Sequence, residues 1–159
     1  MLTEIIVLVA LIALNAFFAA SEMALVSLND TKIRIQAESG NKKAQLIVRI
    51  LSEPSRFLAT IQVGITLAGF LASAFASDSF SDEIVRLFQA LGLNVDPSLL
   101  KSVSMVLITI ILSYFTLVFG ELVPKRLAMK KAERISLLAI RPIHSLSILT
   151  YPFVKFLTI

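Results

Sequence analysis

The sequence predicts an all-α membrane protein: three transmembrane helices, short cytoplasmic amphipathic helices, and a kinked juxtamembrane helix that forms a belt along the cytoplasmic side. Three observations predict it. Of the 159 residues, 57% are hydrophobic, and the mean hydropathy is +0.85. A soluble domain of this size has too little interior to hide that much apolar side chain, so the excess faces lipid. The apolar residues are gathered into charge-free runs, Ile5–Ser21, Phe57–Ser77 and Ser102–Gly120. The basic residues cluster beside alternate ends of those runs.

The first span covers about residues 3–28. At ~1.5 Å per residue, it is long enough to cross a bilayer. Glu4 is the only early charge. With no basic leader before it and a basic stretch straight after it, this segment reads as a spanning helix rather than a signal peptide. Asn29–Arg56 carries Lys32, Arg34, Lys42, Lys43, Arg49 and Arg56 against Asp30, Glu38 and Glu53. Its intermittent apolar face, broken at Ser39-Gly40-Asn41, predicts two amphipathic helices over residues 30–52. The excess of Lys and Arg places this loop in the cytoplasm and the N-terminus outside.

A second span follows over about 56–77, then an acidic, extracytoplasmic loop over 78–99 with Asp78, Asp82, Glu83 and Asp96. Ile84–Leu91 is expected to form a short helix inside that loop. The third span, about 100–122, returns to the cytoplasm, where Lys125, Arg126, Lys130, Lys131 and Arg134 anchor it. From about 125 to 159 the chain is apolar again, but interrupted by Arg141-Pro142, His144, Pro152 and Lys155. These breaks favour a kinked helix along the cytoplasmic interface, with a fourth span as the alternative. The C-terminus is then cytoplasmic. The pattern stops mid-way at Ile159, as in a chain cut from a longer protein.

Composition also bounds the chemistry. There is no Cys and only one His, which leaves no disulfide, no thiolate site and no imidazole cluster within the chain. The remaining ligands are carboxylate, hydroxyl, amide and backbone oxygen, which suit hard cations. His144 has no evident nucleophile or acid partner, and no phosphate-binding glycine motif is present, so an enzyme is not expected. The net charge of +4 lies beside apolar spans and reads as a topology signal, not as a nucleic-acid surface.

The stretch Val118–Lys125 closes the third span. Pro124 cannot donate to the carbonyl of Gly120, four residues back, so a free backbone oxygen can lie beside the Glu121 carboxylate. In the first helix Asn15 and Glu22 share a face, with Ser21 ~100° round. A π-bulge near Ala20–Glu22 would aim all three at one point. In the second helix Gln62, Thr66, Gly69 and Ser73 make one polar and small stripe. In the third, Thr109, Ser113, Thr116 and Gly120 repeat the same steps. Helix packing accounts for such stripes taken singly. Carboxylates at the edge of a span more often face a bundle interior or a wet cavity. Glu22, Gln62–Thr66 and Gly120-Glu121 all fall at one depth, near the cytoplasmic ends of their helices.

The segments NAFFAASEMA (Asn15–Ala24), LATIQVGITLAGF (Leu58–Phe70) and GELVPK (Gly120–Lys125) together resemble the DUF21 transmembrane domain of the CNNM/CorC magnesium transporter family. Three motifs in order cover nearly the whole chain. The resemblance implies three transmembrane helices with a juxtamembrane belt, a homodimer in the lipid bilayer, and cytoplasmic CBS-pair domains in the full-length protein. It implies Mg²⁺ transport, mostly export, with Na⁺ coupling in some members. Carried over by position, the ion site draws on Ser21, Glu22, Gly64, Thr66, Gly120 and Glu121. Asn15, Gln62, Gly69, Ser73, Ser113, Pro124 and Lys125 stand around it. The sequence departs from the family pattern at Ile65 and Gly69, where many members carry Asn; Thr66 is the nearest substitute ligand. The alternative is a non-transporting membrane anchor, or a Mg²⁺-sensing scaffold for the CBS domains.

Overall fold

A computed structural model describes residues 2–92 and 95–157, and the described chain is helical throughout with no strand. Helix α1, Leu2–Val26, is the first apolar run. Two capped amphipathic helices follow, α2 (Asp30–Glu38) and α3 (Lys42–Leu51). The Asn29 side chain accepts from the Lys32 N–H at the start of α2, and the Asn41 side chain accepts from Lys43 and Ala44 at the start of α3. Each satisfies first-turn donors that have no partner inside the helix. Gly40 lies between them at φ +92°, where a side chain would be strained.

Helix α4 runs unbroken from Pro54 to Ala90, 37 residues. The expected acidic loop over 78–99 is therefore mostly helix. Asp78, Asp82, Glu83 and Arg86 extend the second span beyond its apolar part without interrupting it, because no helix breaker occurs before Gly92, at φ +82°. Helix α5, Pro97–Leu117, starts with Pro97 in its first turn and with the Asp96 carboxylate accepting from Ser98 N–H at 2.9 Å. A π-helical segment, Val118–Leu122, joins it to α6, Val123–Lys130. Lys131 leaves helical geometry (φ −130°, ψ 37°), so the expected single helix from about 125 is two. The second, α7 (Ala132–Leu157), continues through Pro142 and Pro152.

Among the described residues four helices are long and apolar enough to cross a membrane, where the sequence predicts three: Leu2–Val26, Pro54–Ala90, Pro97–Lys130 and Ala132–Phe156. The additional one is α7, because its polar breaks are spread thinly enough to leave a run of sufficient hydropathy. Only 17% to 33% of each such run is buried inside the chain. Phe70, Leu71, Ile110, Ile111 and Tyr114 point outward, as side chains facing lipid must.

Helix α1 packs against α4, the π segment, α6 and α7. It runs antiparallel to α4, since Phe18 and Leu25 pack with Phe57 and Ile61 while Leu8 and Leu11 pack with Ala72 and Ala76. It runs parallel to the π segment and α6, since Asn15 meets Gly120 and Glu22 meets Lys125. Two apolar clusters hold the bundle. One lies at the basic end and joins Phe18 and Leu25 of α1 to Ile33, Ile47, Phe57, Ile61, Ile140 and Ile143. The other lies at the acidic end and joins Ala72, Ala76, Ile108 and Leu112 to Leu8, Leu11 and Ile12. Helix α7 contributes to the first cluster. Its further contacts stay at the same end, where Thr150 donates to Thr60 at 3.4 Å and Tyr151 lies 4.4 Å under the Arg56 guanidinium.

Candidate functional site

The irregular backbone at the end of the third span builds the site. Within the π segment the Val123 N–H reaches back to the carbonyl of Val118, and Pro124 has no N–H to offer Gly120. The Gly120 carbonyl instead accepts from Asn15 Nδ2 at 3.1 Å, a buried hydrogen bond between helices. Glycine is needed for this approach, because a Cβ at Gly120 would lie 3.0 Å from Asn15 Nδ2 and 3.3 Å from Thr116 Cγ2. Asn15 is 1% exposed. Its Oδ1 is buried and has no hydrogen-bond partner among the described residues. A buried amide oxygen without a donor is costly, and such groups in membrane bundles often face a ligand or ordered water.

The expected π-bulge at Ala20–Glu22 is not there, since α1 is regular through Ser21 and Glu22. The π geometry sits on the facing segment of the site, at Val118–Leu122. The physical reason is Pro124: a missing donor loosens the turn before it, whereas nothing in α1 removes one.

Glu121, on the π segment, is half-buried. Its carboxylate makes no hydrogen bond or ion pair among the described residues. Glu22 differs, for its Oε2 is 3.3 Å from Lys125 Nζ, with both side chains largely shielded. Ser21 is fully buried, and its hydroxyl donates to the Phe17 carbonyl at 2.6 Å. That leaves the Ser21 oxygen free to accept.

The α4 residues fall differently. Gly64 faces α1 so closely that a Cβ there would be 2.8 Å from the Phe18 ring. The face of α4 that packs inward is Ile61, Gly64, Ala68, Ala72 and Ala76. Gln62 and Thr66 are exposed on another face, linked by a 3.5 Å hydrogen bond, and a Cβ at Gly69 would meet nothing within 4 Å. Ser73 is half-buried, while Thr109 and Ser113 are exposed with their hydroxyls donating to carbonyls one turn back. The structure thus brings Asn15 to Gly120 and Glu22 to Lys125, and it turns the Gln62–Thr66 and Thr109–Ser113 stripes outward. The missed signal in α4 was the alanine ladder Ala68, Ala72, Ala76, whose small side chains admit α1.

Among the described residues no group of three His, Cys, Asp or Glu could hold a metal ion. A cation at this junction would rest on one carboxylate, Glu121, with amide, hydroxyl and backbone oxygens. That donor set suits a hard cation retaining part of its water.

Long lipid-facing helices around a buried amide and an interrupted helix define a multi-pass membrane domain. The chain belongs to the Cyclin M transmembrane N-terminal domain family, whose family model matches residues 6–159. Among curated relatives, it is 32% identical to UPF0053 protein sll0260 of Synechocystis sp., over 97% of this chain and 34% of that protein. It is 34% identical to UPF0053 protein YhdT of Bacillus subtilis, over 95% of this chain and 32% of that protein. It is 29% identical to the uncharacterized protein Rv1841c of Mycobacterium tuberculosis, over 98% of this chain and 43% of that protein. The chain spans roughly a third of the first two, with coverage of 34% and 32%.

Proposed function

We propose that this domain carries a divalent cation, Mg²⁺, out of the cytoplasm through a site at the α1–π junction. The observation that carries the reading is the Glu121 carboxylate, half-buried at the edge of a span and unpaired among the described residues. An ionisable group there is expensive unless something offsets its charge, and the cation is that partner. Asn15 Oδ1, unpartnered at the same junction, supports a ligand that accepts oxygen donors. Ser21, Gly120 and, more remotely, Gly64 and Glu22 shape the surroundings. Mg²⁺ sheds water reluctantly, so a site with a few protein oxygens and retained waters is easier to build than a closed cage.

The basic end of the bundle faces the cytoplasm by the positive-inside rule. The site then opens inward, the N-terminus is outside, and α7 lies as a belt with the C-terminus cytoplasmic. Gln62 and Thr66 on α4 and Ser113 on α5 are exposed. Ser113 bonds its own helix at the Thr109 carbonyl, but Gln62 keeps amide capacity beyond its 3.5 Å bond to Thr66 that lipid would not satisfy. A second copy packed on this face would cover them, which supports a homodimer. Na⁺ is the candidate counter-ion, and CBS-pair domains are the expected cytoplasmic partners of the longer protein.

Calorimetry with Mg²⁺ on the purified chain tests the reading. Saturable binding is expected in the wild type and its loss in Glu121→Ala, with thermal unfolding of the apo forms alike. At Mg²⁺ a hundredfold above Kd, binding raises stability by ~2.7 kcal/mol in the wild type alone. Undiminished binding in Glu121→Ala sinks the assignment. The second reading, a non-transporting anchor or Mg²⁺-sensing scaffold, is favoured by the Glu22–Lys125 ion pair, which neutralises the other carboxylate internally. It predicts that apolar replacement of Ser21, Thr66 and Glu121 together leaves the function of the longer protein intact.

A further inference from the structure

Away from the α1–π junction, a cavity of about 340 Å³ opens where α3, α4 and α7 meet at the basic end. It is lined by Arg49 of α3, Arg56 and Phe57 of α4, and His144, Ser147 and Ile148 of α7. Its charge is unbalanced, for the two guanidinium groups face one carboxylate, Glu53, which also lines it. Arg49 is exposed and has no ion pair among the described residues. Arg56 is held in place from two sides. Its Nη1 lies 3.4 Å from Glu53 Oε2 and its Cζ sits 4.4 Å from the centre of the Tyr151 ring. Its Nε is buried without a hydrogen-bond partner among the described residues. An Arg side chain carries five N–H donors in a rigid fork, and the hydrogen bond described for this one engages a single donor.

We propose that this cavity binds the phosphate of an anionic phospholipid. Paired guanidinium groups with spare donors suit a phosphate, which accepts two parallel N–H bonds from each fork. The apolar part of the lining decides the source. Phe57 is 3% exposed and opens the charge-free run of α4, while Ile148 is exposed on α7. The phosphate would therefore sit at the boundary between the basic loops and the lipid-facing surface. A lipid headgroup lies at that boundary with its acyl chains beside Ile148, whereas a soluble phosphate gains nothing from that wall. The proposal is independent of the cation site and requires only that the bundle sits in a bilayer.

The test places the 159-residue chain in nanodiscs of equal phosphatidylglycerol and phosphatidylcholine, extracts it, and counts retained lipids by native mass spectrometry. Phosphatidylglycerol should be retained over phosphatidylcholine about tenfold, the worth of one charge-assisted contact. The ratio should fall to near one in Arg49→Gln/Arg56→Gln. It should stay at the wild-type value in Arg126→Gln, a basic side chain exposed outside the cavity. Equal retention in the wild type overturns the proposal, as does an Arg126→Gln loss equal to that of the double variant. If the double variant does not fold, Arg49→Lys/Arg56→Lys serves instead, since it keeps the charge but removes the fork. A full wild-type preference in that pair also overturns the proposal. Millimolar inorganic phosphate should displace little of the bound lipid; complete displacement would make the ligand a soluble phosphate and overturn the lipid assignment.

Discussion

At the scale of single residues, Asn15 is the most informative side chain. It is buried in a span, it donates across helices to Gly120, and its own oxygen is unpartnered among the described residues. Asn15→Ala removes the donor and leaves the Gly120 carbonyl buried beside a proline that cannot serve it. A cost of ~1–3 kcal/mol is expected, the usual penalty for a buried group stripped of its partner. Thermal unfolding in one fixed detergent would measure it. An unchanged midpoint would show that the carbonyl is satisfied from elsewhere. The sequence marked Asn15 as polar and on the Glu22 face, but not its partner, because spacing along one helix says nothing about the residue facing it on another.

The decisive element is the π segment between α5 and α6. Its cause is local and readable, a proline placed so that Gly120 loses its α-helical donor. A bulge in α1 would gather Asn15, Ser21 and Glu22, but α1 is regular through that turn. Pro124→Ala restores the N–H and allows Val118–Leu122 to return to α geometry. That conversion turns Glu121 by a large part of a residue step relative to α1. The expected outcome is weaker Mg²⁺ binding by calorimetry with an equal or higher unfolding temperature. Retained affinity would mean that the π geometry does not set the site. Helix α4 gives the complementary lesson. Its acidic half reads as loop by composition, yet the Glu83–Arg86 ion pair one turn apart and the lack of any Gly or Pro between Asp78 and Gly92 keep it helical.

At the scale of the whole molecule, α7 sets the arrangement at the basic end. Its length and hydropathy qualify it as a span. Its core residues Ala139, Ile140 and Ile143, and its contacts through Thr150 and Tyr151, all fall at the basic end of the bundle. The chain has no Cys, so single cysteines report topology directly. Lys42→Cys, Lys130→Cys and Ser145→Cys should react with an impermeant maleimide from one side of the membrane, and Thr3→Cys from the other. Protection of Ser145→Cys, with the controls labelled, would place α7 across the bilayer instead.

The sequence by itself determined three of the four membrane-length helices among the described residues, the basic and acidic ends, and the two amphipathic loop helices. Each follows from composition, charge or spacing within a single segment. Only the tertiary structure decided which face of α4 meets α1, that Gly64 closes on Phe18, that Asn15 pairs with Gly120, and that the Thr66 stripe turns outward. The physical reason is that lipid and protein interior are equally apolar. Hydrophobic pattern therefore does not specify rotation about a helix axis in a membrane; close packing of small residues and the few interhelical hydrogen bonds do.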